Sequence, residues 1–311
     1  MKFFQRLLLL PICLVFCAAG STRAADVTVV IVSSERSAAY QEATQALLGE
    51  LGRGGIASKD VLQITIAELA KAGSLSARLY VTLGMDAAVM LARSELKAPV
   101  LCALLPRQSF ERVLRESGRR VSAQFSAVYL NQPLSRQLDL VRLALPQAGR
   151  VGVLFGGESQ SQETLLDEAA QGRGLKLVGI HVKPEEPVFS GLKRILDEAD
   201  LLLALADPQI YNSSSIQNIL LASFRAQVPM LAFSPAYVRA GALLAVYSTP
   251  VQIGQQAGVM ASAVLQGKGL GSPQYPQDFS VSVNEHVARS LGLNLDPQAL
   301  TERLRRLEKR P

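Results

Sequence analysis

Tryptophan is absent from the chain and cysteine is nearly so. Two of the three cysteines, Cys13 and Cys17, fall within the first 24 residues, which leaves Cys102 alone beyond them. A single thiol allows neither an intrachain disulfide nor a cysteine zinc site. Cys102 follows Pro99-Val100-Leu101 in an apolar run and reads as a small core residue. The two histidines, His181 and His286, are far from metal-ligand spacing, and there is no Walker loop and no Gly-x-Ser-x-Gly elbow. Gly52-Arg53-Gly54-Gly55 follows a helical stretch instead of a strand, which makes a poor phosphate cradle. A Ser-His-Asp grouping or a Cys102–His pair stays open to the sequence, but with no catalytic or cofactor motif the chain reads as a non-enzyme with no cofactor. Aromatic contact with any ligand has to come from Tyr or Phe.

Long apolar runs are equally scarce. The run Leu7 to Ala19 follows Lys2 and Arg6 and precedes Gly20-Ser21-Thr22-Arg23-Ala24, the order of a secretory signal peptide cleaved near Ala24. It falls short of the roughly 20 residues of a membrane-spanning helix. Phe16 stands before Cys17, where a lipid-attachment signal carries a small residue. A freely soluble periplasmic product is therefore expected. Losing Lys2, Arg6 and Arg23 lowers the net charge from +6 to +3. Much of the remaining excess lies at Arg303, Arg305, Arg306, Lys309 and Arg310, among Glu302 and Glu308 and without interleaved aromatics. That pattern fits a solvated helix end and no nucleic-acid partner.

With 311 residues, two lobes are the default expectation. Strands are expected at Val27 to Val32, Val61 to Ile66, Leu79 to Leu83 and Val100 to Leu105, with helices at Tyr40 to Leu51 and Ala87 to Arg93 between them. Short apolar strands separated by helices predict a parallel sheet covered on both faces. The rhythm restarts with helix Leu134 to Leu145, strand Arg150 to Phe155, helix Glu163 to Gln171, and strands at Leu175 to Val182, Leu201 to Leu205 and Met230 to Phe233. Helix Val251 to Leu265 carries Gly254, Ala257, Gly258 and Ala261 on one side, suited to close packing on a sheet. Phe279 to Val283 alternates as a half-exposed strand does. The expected organisation is a signal peptide over 1–24, a first α/β lobe from 25–122 plus part of 248–311, and a second from 123–247 plus part of 275–311. Connections near 122–128, 245–249 and 275–282 would cross a hinge three times.

Residues 201–247 concentrate polar groups after strands. One apolar strand runs into Asp207-Pro208 and a Tyr-Asn-Ser turn, and the next ends at Ser234-Pro235-Ala236-Tyr237. In parallel α/β sheets the carboxyl edge of the strands is where ligands bind. The segments "VGVLF....S" at 151–159, "AD..IY" at 206–211, "VP.LAFSPAYVRAGAL" at 228–243, "IGQQAGVMASAVLQGK" at 253–268 and "FSVSVNEHVARSLGLNL" at 279–295 resemble ABC transporter substrate-binding proteins. The likeness is to the group that includes tryptophan- and tyrosine-type binding proteins with the type I periplasmic fold.

That resemblance implies two Rossmann-like lobes with parallel sheets that close on a small ligand, an amino acid or other small carboxylate, and deliver it to an inner-membrane ABC permease. It places Ser159, Ser161, Asp207, Tyr211, Ser234 and Tyr237 in the cleft, with Gly241 nearby. Ser33, Ser34, Thr82, Gly84 and Asp86 join them from the loops after the first and third strands, by topology. Ser159 and Ser161 read equally as helix caps and as part of a carboxylate site. Asp207 would cap a turn or hold an ammonium group, and Tyr211 and Tyr237 would pack or stack on a ligand ring. Where the group carries Asp-Pro after the strand before the first crossover, this chain has Leu105-Pro106-Arg107. Arg107 is either solvent-facing or a carboxylate contact. A monomer is expected. The alternative output of the same fold is a sensory or accessory envelope module without transport.

Overall fold

The computed structural model describes residues 27–73 and 75–309. The expected signal peptide and Arg310 of the basic tail lie outside the described residues. Strand β1 (Val27–Ser33) is a β-branched run whose centre, Val29 to Val32, is buried on both sheet faces. It is followed by α1 (Ala38–Arg53), β2 (Val61–Thr65), α2 (Ile66–Ala72), β3 (Ala77–Leu83), α3 (Met85–Ala92), β4 (Val100–Leu105), α4 (Arg107–Ser117) and β5 (Phe125–Tyr129). These form one parallel sheet in the order β2-β1-β3-β4-β5. Helix α1 presents Ala43, Leu47 and Leu51, four residues apart, to the sheet. Helix α2 starts at a capping box in which Thr65 and Glu68 bond reciprocally.

A second sheet is built from β6 (Arg150–Phe155), β7 (Lys176–His181), β8 (Leu201–Leu203), β9 (Met230–Ala232), β10 (Leu244–Tyr247) and β11 (Ser280–Val283) in the order β11-β10-β9-β8-β6-β7. All its pairings are parallel except that of β10 with β11. Helices α5 (Leu134–Ala144), α6 (Glu163–Gln171) and α12 (Pro297–Glu308) cover one face, while α7 (Val188–Glu198), α8 (Ile216–Arg225) and α9 (Pro235–Ala240) cover the other. Helix α11 (Glu285–Ser290) completes the first of these layers through Ala288.

Helix α10 (Pro250–Leu265) returns to the first lobe. Its Ile253, Ala257 and Ala261 enter the core under the first sheet. The small residues expected against the sheet do a different job at Gly254 and Gly258. These two face α1, where an added Cβ would run into the carbonyl oxygen of Ala43 and the side chain of Glu50. Close helix-to-helix approach is what requires glycine there.

The chain passes between lobes at 130–133, at 248–249 and between Tyr275 and Phe279. Residues 123–129, expected in the second lobe, belong to the first. Phe125, Ser126 and Ala127 pair with Val100, Leu101 and Cys102, so the first crossing comes only after β5. An apolar strand adjoining a crossing carries no mark of which sheet it joins.

Replacing Gly254 by Ala should lower stability by about 1–3 kcal/mol, because the obstructing atom is backbone and cannot turn away. Gly49 lies in α1 with nothing within 4 Å of an added Cβ. Gly49→Ala should therefore raise stability by roughly 0.5–1 kcal/mol. Urea midpoints of the two variants against the parent check both signs.

Candidate functional site

Loops that follow the carboxyl ends of strands in both sheets converge between the lobes. In the second lobe the loop after β6 is fixed by the loop after β8. Asp207 is 1% exposed, and its carboxylate accepts four hydrogen bonds. Oδ2 receives the Glu158 N–H at 3.1 Å, the Ser159 N–H at 2.9 Å and the Ser159 hydroxyl at 2.8 Å, and Oδ1 receives the Gln209 N–H at 3.0 Å. Ser159 Oγ in turn accepts the Gly156 N–H at 2.9 Å. A Cβ at Gly156 would lie 2.7 Å from Asp207 Oδ2, so only glycine lets the carboxylate reach these donors. Asp207 and Ser159, expected to face a ligand, are thus committed to each other: burial obliges the carboxylate to find its partners within the protein.

Tyr211, Phe233 and Tyr237 form an aromatic group beside this clamp, with ring centroids 6.0 and 5.0 Å apart. Tyr211 is buried and its hydroxyl has no hydrogen-bond partner. Burial first, and the Asp207 charge second, push its phenol well above the usual range. Tyr237 is half-buried and donates to the Tyr211 carbonyl at 3.4 Å. Ser234 caps α9 through the Tyr237 N–H. Ser161 is exposed in a turn before α6.

In the first lobe the expected residues separate. Ser33 lines an open groove beside α1 and α2 with Glu35, Arg36, Tyr40 and Glu68. Ser34 donates to the Leu83 carbonyl at 3.1 Å and accepts the Ala87 N–H at 3.0 Å, which caps α3. Gly84 begins that helix at φ +88°, where the Tyr40 and Ser34 hydroxyls leave no room for a side chain. Asp86 is exposed. Thr82, proposed for the cleft, is instead fully buried within the sheet opposite Cys102, and its Oγ1 lacks a partner of full hydrogen-bond geometry. Strand alternation turns it into the core.

A pocket between the lobes collects a different set. Gln108 from α4, Asn131 and Gln132 from the first crossing, Gln137 from α5 and Gln162 before α6 meet Ala204 to Ala206, Phe233 and Val246. None of the residues expected from the sequence lines it. Gln108, Gln137 and Gln162 are at least nine-tenths buried, yet Gln108 Oε1, Gln137 Oε1 and Gln162 Nε2 have no partner. Gln137 is oriented by its own Nε2, which donates to the Gln132 carbonyl at 3.1 Å. As the lobes stand in this structure the pocket leaves space for roughly one water molecule, so a larger solute enters only when the lobes part.

Local distortion delivers Gln108. Leu104 holds φ +56°, and the register of β4 against β5 shifts between Cys102 and Leu105. The bulge turns the chain so that α4 starts at the pocket, where the Arg107 N–H donates to Asn131 Oδ1 at 2.8 Å. The Arg107 guanidinium turns away, to Glu111 at 2.7 Å and to the Tyr275 hydroxyl at 3.2 Å. These partners push its already high pKa higher. One ion pair, Arg112 with Glu158, joins α4 to the loop after β6 across the lobes. The signal that could have marked the pocket was available: the rule applied to β1 and β3, polar groups just past a strand's carboxyl end, holds equally for Gln108 after β4 and Asn131-Gln132 after β5.

Two lobes whose loops converge on a shared pocket define the type I periplasmic binding fold, and solved structures bear this out. A ligand-free, open substrate-binding protein with adhesive properties from Clostridium difficile superposes with a TM-score of 0.69 at 16% identity, covering 86% of this chain and 96% of that one. A Streptococcus pneumonia ABC domain in complex with L-Trp gives a TM-score of 0.63 at 17% identity, with coverage of 89% and 98%. The family model for ABC transporter substrate binding proteins matches residues 57–304, and the chain belongs to that family. A tyrosine-binding protein of Clostridioides difficile (strain R20291) is 23% identical over 185 residues, 58% of this chain and 52% of that relative. The chain thus spans about half the length of the curated relative it matches.

Asp207→Asn turns an amide N–H₂ toward N–H donors and should cost about 1–3 kcal/mol in chemical denaturation. The Cys102 thiol is pushed up to about 12, chiefly by burial, with the Thr82 hydroxyl pulling the other way. Iodoacetamide at mildly alkaline pH should leave the folded protein unlabelled and label it after unfolding, as mass spectrometry reads directly. Because the folded state holds this proton more tightly, the thiol's contribution to stability is full below its ordinary value of 9.0 and is lost as pH rises toward about 12.

Proposed function

We propose that this protein captures a small solute in the pocket between its lobes and passes it, as a monomer, to an ABC permease outside the cytoplasm. The observation that carries the reading is the pocket itself. Buried amide groups from both lobes meet there without partners, and leaving such groups unpaired costs about 1–3 kcal/mol apiece unless something else binds them. Membership of the substrate-binding family supports the same reading, and so does the leader-like sequence before residue 27. Among the described residues no helix is long and apolar enough to cross a membrane.

Capture couples to movement by differential affinity. A solute that fills the pocket touches Gln108 from one lobe and Gln137 and Gln162 from the other, so it holds the lobes together. The Arg112 to Glu158 pair closes the rim once the lobes meet. A permease that distinguishes the two arrangements then distinguishes loaded carrier from empty. The small carboxylates and amino acids implied by the resemblance, and the tyrosine and L-Trp named for relatives, belong to the first panel of solutes.

The test is solution scattering together with thermal unfolding of the ligand-stripped protein. A bound solute at about 100 times its dissociation constant should add roughly 2.7 kcal/mol, a rise of several degrees in Tm. The radius of gyration should fall in the same titration as the lobes close. Arg112→Ala should weaken that contraction while leaving the pocket amides in place. Folded protein that responds to no solute class by either measure would refute the capture reading.

A further inference from the structure

The pocket between the lobes holds no ionisable side chain, and every charged group near it is already answered within the protein. The Asp207 carboxylate is saturated by four donors. Arg107 is held by Glu111 and Tyr275, and Arg112 pairs with Glu158. Arg136, next to Gln132, is bound by Glu308 and by the Gln132 and Pro276 oxygens. What remains unanswered is amide chemistry. Gln108 Oε1 and Gln137 Oε1 are free acceptors and Gln162 Nε2 is a free donor, all buried. Asn131 uses its Oδ1 on the Arg107 N–H. The Phe233 ring and the apolar atoms of Ala204, Leu205, Ala206 and Val246 supply the rest of the wall.

We infer that the solute taken by this pocket is uncharged and presents amide-like donor and acceptor groups beside a flat or apolar body, as a carboxamide, a lactam or a nucleobase does. The inference rests on the capture reading above and names its ligand class. A side-chain amide presents a donor and an acceptor side by side, and its complement is another group with both. A carboxylate or zwitterion on which the lobes close would give up its hydration and find no opposite charge in the lining, and a buried unpaired ion costs far more than a buried neutral amide. The uncapped first turns of α4 and α5, which start beside the pocket, favour an anion, yet an anion bound there would still face the Gln108 and Gln137 carbonyl oxygens.

Calorimetry with the stripped protein compares nicotinamide and uracil with L-tyrosine, L-tryptophan, L-glutamate and succinate. Binding is expected from the neutral set, with an affinity that barely changes between low and high salt because no charge is neutralised. Gln108→Met and Gln162→Met, near in shape but apolar, should each weaken that binding by about tenfold or more, the value of one buried hydrogen bond. Neither should lower the melting temperature of the empty protein, since each removes an unpaired buried polar atom. A fall in melting temperature in both would assign the amides to structure and overturn the inference. Binding confined to amino acids or dicarboxylates would overturn the ligand class and leave capture intact. No binding by any probe would overturn both.

Discussion

The relation between the lobes rests on one buried guanidinium. Arg136 opens α5 just after the first crossing, and its Nη1 donates to Gln132 Oε1 at 2.6 Å and to the Pro276 carbonyl at 2.9 Å. Its Nη2 donates to Glu308 Oε2 at 2.9 Å, and its Cζ lies 4.1 Å from the centroid of the Phe279 ring. Gln132 donates from Nε2 to Ser248 Oγ at 2.9 Å, and Ser248 donates to the Asp278 carbonyl at 2.6 Å. All three interlobe segments are therefore members of one network. Burying a guanidinium with 6% of its surface exposed is costly unless those acceptors stay in place, so the crossings are bound to move as a unit.

Around that fixed point the two kinds of polar group behave oppositely. At the Asp207 clamp every donor and acceptor is matched, and the loop after β6 is held in one conformation. At the interlobe pocket Gln108, Gln137 and Gln162 are buried with atoms unmatched. Saturation gives shape, and the unmatched atoms are what the proposed capture draws on. The strained backbone at Leu104 belongs with the second kind, since it places Gln108 where the sheet alone would not.

Much of the fold is legible in the sequence because its elements are locally consistent. The apolar run at Arg150 to Phe155 and the helical spacing at Glu163 to Gln171 appear with the same bounds in the structure. Helix α4 escapes notice because its sequence is mostly polar and its apolar buried residues are just Phe110 and Val113. The lobe to which β5 belongs depends on pairing with β4, a contact no local pattern encodes. For the site, topology pointed to the right sheet edges, but side-chain commitment is invisible in a sequence. An aspartate beside a cleft reads the same whether its carboxylate faces a solute or four backbone and side-chain donors. Amides such as Gln162 look like ordinary surface residues until burial is known.

The glycine contact between α1 and α10 bears on how the chain assembles. The core under the first sheet is finished by Ile253, Ala257, Ala261 and Leu270, some two hundred residues after the helix they meet. Residues 27–129 alone leave one face of that sheet short of a helix, and closing so long a loop is slow. That segment must wait, partly uncovered, until the chain has been made as far as Leu270. The first lobe to be translated is therefore completed only after most of the second has been made.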